Sequence, residues 1–108
     1  MIDTYTYCDE DFKVLLKYDK WKIGFLRYSD RFSEFKQLER HLETDEAFVL
    51  LEGEATLHTE TESVSMRKCV LYNIPKGVWH HVVVSEDATV MVVENSNTSK
   101  ENTEKRLL

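Results

Sequence analysis

Apolar and polar positions alternate through most of this chain with a period of two, the spacing of a β-strand that buries one face. Residues 21–28, 55–59, 63–66, 70–74, 79–84 and 88–94 read as strands, each rich in branched or aromatic side chains. Ser29 and Asp30 open a connection before residues 32–41. Residues 47–51 are apolar at every position, as in a strand sandwiched between two layers, and Gly53-Glu54 breaks that run. Glu60, Thr61 and Glu62 join two of the strands into a hairpin. Phe12, Leu15 and Leu16 have helical spacing with acids just before them, while residues 13–18 fit a strand equally well. So many short strands in close succession predict an all-β sandwich or barrel.

The length suits one domain, residues 1–94, with N-terminal strands in 1–31 and a central core in 32–94. Residues 95–108 are polar and crowded with Asn, Ser, Thr and Lys, the composition of a tail, with Leu107 and Leu108 available to dock on the body. Twenty acidic against fourteen basic residues give a net charge of −6 and no basic stripe, which argues against nucleic acid as a partner. No apolar run approaches the roughly 18 residues of a membrane span, and Asp9, Glu10 and Asp11 stand where a signal peptide would be apolar. A cytoplasmic protein is expected, with Cys8 and Cys69 as reduced thiols and Cys69 buried and inert.

Glycine and proline are scarce, and most of them lie at fixed distances from residues able to bind a metal. His41, four residues, Glu46, six residues and Gly53 form one pattern; Pro75, Gly77 and His80 form a second about twenty residues later. These segments resemble the two motifs of the cupin family, G-x5-H-x-H-x3-4-E-x6-G and G-x5-P-x-G-x2-H-x3-N. The resemblance covers residues 32–94 and is strongest to small single-domain cupins. Glu39 stands in place of the first histidine and Ser33 in place of the opening glycine. Cys69 and Val84 replace the glycine and asparagine of the second motif.

The resemblance implies a double-stranded β-helix, or jelly-roll barrel, holding one divalent metal through Glu39, His41, Glu46 and His80. Strand geometry agrees: Glu39 and His41, two apart, face the same side, Glu46 begins the return strand, and the turn at 75–77 aims His80 from another strand. Mixed oxygen and nitrogen donors suit Fe, Mn, Ni or Zn, and two carboxylates weaken the ion as a Lewis acid and favour harder ions. For such a protein the resemblance implies isomerisation or epimerisation of a sugar-like hydroxycarbonyl or carboxylate substrate, oxygenation, or decarboxylation. The alternatives are a non-catalytic cupin that binds or senses a small ligand or metal, and a cupin that has lost its metal.

Other residues carry subsidiary expectations. An enzyme needs an acid or base in the pocket beyond the ligands, with Gln37, Tyr72 and Met66 as candidates, and Phe48 shares the parity of Glu46 and can wall the pocket. His58 reads as an exposed strand residue. His81 faces away from His80. Twelve aromatic residues and strands apolar on both faces exceed what one small barrel can bury, so a homodimer is expected, with Trp79, His81 and Val83 at its interface.

Overall fold

The computed structural model describes residues 1–108. Ten strands follow in order: β1 (Asp11–Tyr18), β2 (Trp21–Arg27), β3 (Gln37–His41), β4 (Glu46–Glu52), β5 (Ala55–Thr59), β6 (Ser63–Ser65), β7 (Tyr72–Ile74), β8 (His80–Val84), β9 (Thr89–Asn95) and β10 (Thr103–Leu107). They form two five-stranded antiparallel sheets, ordered β1-β2-β9-β4-β7 and β10-β3-β8-β5-β6, in an all-β jelly roll. The inward positions of both sheets make the core: Leu26, Phe48, Leu50, Val90 and Val92 from the first, Leu57, Val82 and Val84 from the second. Each such side chain contributes about 1.5–3 kcal/mol on burial. That period-two burial is what selects strand over helix along β8 and β9.

The undecided segment 12–18 is a strand, and its helix-like spacing has a local cause. A register shift between Val14 and Leu16 against β2 offsets the alternation by one residue, so apolar positions on the two sides of the bulge fall out of step. Phe12 packs against the core across Gly24. A Cβ at Gly24 would lie 2.5 Å from that ring, so the position admits only glycine.

Three expectations are corrected. Residues 95–108 are no tail, since β10 pairs with β3 from Thr103↔His41 to Leu107↔Gln37. Being an edge strand with little buried surface, β10 carries no hydrophobic period; Arg106 instead pairs with Glu60 at 2.9 Å. Residues 47–51 are not sandwiched between layers: Phe48 and Leu50 are buried, whereas Ala47, Val49 and Leu51 face outward and keep some exposure. Cys69 is exposed, on a left-handed backbone (φ 65°) in the connection before β7, so it is not a buried thiol. Cys8 is also exposed, and both cysteines are free.

Candidate metal centre

Four strands bring the candidate ligands together. β3 meets β8 at Glu39↔His80, and β4 meets β9 at Glu46↔Glu94. The turn at 75–77 is tied to both β3 and β4. The Gly77 N–H donates to the His41 carbonyl (2.8 Å), and Asp45 accepts from the Lys76 N–H (2.8 Å) and the Asn73 amide (3.1 Å). Gly77 holds φ +83°, a conformation that other residues rarely adopt. The turn of the second motif is therefore pinned to His41 by a backbone bond and to Asp45 by its carboxylate, which places His80 relative to His41 and Glu46.

All four sequence-predicted residues line one cavity of about 90 Å³, with Phe48, Val82, Val92 and Glu94 among the other walls. Glu46 Oε1 lies 3.2 Å from His41 Nε2 and 2.9 Å from His80 Nε2, and all three residues are buried. Donor atoms of Glu39, His41 and His80 lie within 4.8 Å of one another, as do those of His41, Glu46 and Glu94. Glu39 sits at the mouth, where it forms an ion pair with Arg31 at 3.3 Å. Phe48 presents its ring edge-on to His80, with centroids 6.0 Å apart, and so walls the pocket.

The remaining expectations fare differently. Gln37, Tyr72 and Met66 do not line the cavity. Met66 belongs to the core, the Tyr72 hydroxyl accepts the Arg67 N–H (2.8 Å), and Gln37 borders a separate surface hollow. His81, expected to face away from His80, lines the same cavity and is only 2% exposed, with Phe32 and Phe35 stacked on it (6.1 and 6.3 Å). It cannot offer an interface surface. His58 is partly covered, stacked on Phe35 at 4.1 Å and 2.7 Å from the Ser63 hydroxyl. The Trp79 ring is met by the guanidinium groups of Arg40 and Arg106, at 4.5 and 4.7 Å from its centroid.

Glu94 is the residue that sequence reasoning missed. Its signal was present in the parity of β9, where Val90 and Val92 are buried and Glu94 follows two positions on. Val93 and Met91 blurred that alternation. Burial, together with the neighbouring Glu46 carboxylate, pushes the Glu94 carboxyl up to about 8. Lys22, 3.9 Å away, is too distant to reverse this. Glu94 Oε2 is buried without a hydrogen-bond partner. For Glu46, burial also opposes charge, but hydrogen bonds from His41, His80 and Glu94 outweigh it and hold the group well below the usual carboxylate range. In His41 and His80 burial likewise opposes charge, and the Glu46 contact prevails to raise both.

The donor chemistry fits a divalent cation. The His80 Nδ1–H donates to the Val78 carbonyl (3.0 Å), which leaves the Nε2 lone pair of the neutral ring aimed at Glu46. A lone pair facing a carboxylate at 2.9 Å calls for a proton or a metal ion between them. His41 Nδ1 lies 2.9 Å from the Thr103 hydroxyl, which can either accept from it or donate to it. Outer-ring contacts of this kind orient histidines for metal binding.

No protein-family model matches the sequence, and no curated protein matches it. Solved structures do. A cupin-2 domain protein from Shewanella frigidimarina is 22% identical, with a TM-score of 0.69 over 82% of this chain and 84% of that one. Pac13 of Streptomyces, a nucleoside dehydratase, is 10% identical, with a TM-score of 0.70 over 98% and 92%. KdgF from Halomonas sp. is 13% identical, with a TM-score of 0.66 over 83% and 81%. At these identities the likeness shows the fold, and that fold is the small-cupin barrel that the two motifs predicted.

Proposed function

We propose that the chain binds one divalent metal ion through His41, Glu46 and His80, with Glu39 completing the set at the mouth. We further propose that it is an enzyme that isomerises or epimerises a small polar hydroxycarbonyl compound. The observation that carries this reading is the convergence of His41 Nε2 and His80 Nε2 on one oxygen of Glu46, with His80 Nδ1–H committed to the Val78 carbonyl. An ion held there supplies polarisation of a carbonyl and stabilisation of developing enolate charge. Glu94 favours an enzyme over a binding module, because it is an acid inside the pocket beyond the proposed ligands. In the metal-free pocket the two carboxylates are pushed apart, Glu46 toward the charged form and Glu94 toward the protonated one, which sets a proton carrier beside the proposed ligands. Proton transfer next to a carbonyl gives Glu94 a task as proton carrier, whereas oxygenation gives it none.

The test is exchange of substrate hydrogen with D2O, followed by proton NMR over a set of small aldoses, ketoses and hydroxy acids with metal-loaded protein. Glu94→Gln should keep the metal and lose exchange by about a hundredfold or more, the usual weight of a general acid–base group. Exchange that is absent in wild type across the set, or unaltered in Glu94→Gln, contradicts the catalytic reading.

A further inference from the structure

Outside the buried cluster the site opens into a second hollow of about 570 Å³ whose wall contains no apolar side chain. Glu39, His41 and Arg31 line both spaces, so hollow and cavity adjoin across these residues. Three cations face the hollow from three separate elements. Arg31 comes from the short 3-10 turn Asp30–Phe32, Lys100 from the 3-10 turn Lys100–Asn102, and Lys105 from β10, opposite Glu39. Neither lysine has an ion-pair partner, and the only partner of Arg31 is Glu39. Ser99 and Thr103 add hydroxyls to the same wall.

This local balance of three cations to one carboxylate occurs in a protein of net charge −6. A recess of one sign raises the local concentration of ligands of the other. We propose that the hollow binds the anionic group of the substrate, a carboxylate or a phosphate, while its hydroxyl or carbonyl end enters the cavity. The proposal rests on the pocket being the reacting centre and narrows its substrate to an acid or a phosphate ester. Arg31 is the natural anchor, since a guanidinium pairs with either anion through two parallel hydrogen bonds. An anion on Arg31 competes with Glu39 and frees that carboxylate to turn inward. The C-terminal segment also gains a role, because Lys100 and Lys105 reach the hollow only when β10 is paired with β3.

The experiment uses metal-free protein at low ionic strength, titrated separately with inorganic phosphate and with malonate and followed by backbone amide NMR. Saturable shifts are expected at Arg31 and across residues 99–105. The Lys100→Glu/Lys105→Glu variant should bind about tenfold or more weakly, as for the loss of two charged contacts. The tighter of the two probes identifies the anionic group. Equal affinity in wild type and the double variant, or shifts that fall elsewhere, overturns the proposal. His80→Ala, titrated in parallel, should bind the probes as wild type does, while metal content is measured separately, so failure of the anion site and failure of the metal site are told apart.

Discussion

Glu46 and Glu94 stand opposite each other in the ladder between β4 and β9, both directed inward and each 8% exposed. Two buried carboxylates so placed cannot both carry charge at little cost. The histidines decide between them: His41 and His80 both contact Glu46, and Glu94 keeps its proton. The pocket therefore carries an internal division between acid and base before any ligand arrives.

That division sets a pH profile for the metal-free protein. Glu94 has its folded value raised from 4.5 to about 8, so across that window the folded state holds a proton the unfolded state lacks, and stability falls as pH rises. His41 and His80, also raised, act in the same direction: their contribution is present below 6.5 and lost as pH climbs through the folded values. Glu46 acts oppositely, with stability lost as pH drops below 4.5. Thermal melts at fixed ionic strength should show a metal-free optimum on the mildly acidic side and a decline toward roughly pH 9. Added metal should stabilise more as pH rises, because it needs neutral histidines and charged carboxylates. A metal-free profile that rises through this range would refute the proton assignment.

Glu39 separates a ligand from a simple partner of Arg31. As a ligand, Glu39→His should retain a metal and shift preference toward Ni(II) and Zn(II), while Glu39→Leu should weaken binding by about tenfold or more. Calorimetric titration with each ion is the measurement. Unchanged affinity in Glu39→Leu would reduce Glu39 to the ion pair at 3.3 Å.

We propose a two-fold dimer through the outer face of the first sheet rather than through Trp79, His81 and Val83. Cross-strand neighbours on that face are apolar in two rows, Phe25–Met91–Val49 and Ile23–Val93–Ala47, with Trp21 and Leu51 exposed beside them. No second layer of this chain covers them. This is the apolar surplus that residues 47–51 displayed in the sequence. Light scattering after size exclusion should give about twice 12.8 kDa, and Val49→Glu/Met91→Glu should give the single mass. A wild-type mass of 12.8 kDa would eliminate the dimer.

Legibility in the sequence followed burial. β2, β4, β8 and β9 could be read because inward positions recur every second residue, and the turn at 75–77 because Pro75 and Gly77 have few other uses. His41, Glu46 and His80 were found through spacing. Glu94 was not, since its strand is apolar on both faces and one acid at its end resembles a solvated terminus. β10 was hidden because edge strands owe their stability to backbone pairing, which leaves no trace in side-chain pattern. The cationic hollow was hidden for a different reason: Arg31 is far in sequence from Lys100 and Lys105, and the β3–β10 pairing is what brings the lysines to it.

The measurement that bears most directly on the central claim is the metal content of protein purified anaerobically and then saturated with Fe(II), Mn(II), Ni(II) or Zn(II) in turn. Elemental analysis after removal of free ion should give about one ion per chain for at least one metal, and near zero for His41→Ala/His80→Ala folded to the same circular-dichroism spectrum. Equal metal content in wild type and the double variant would contradict the account.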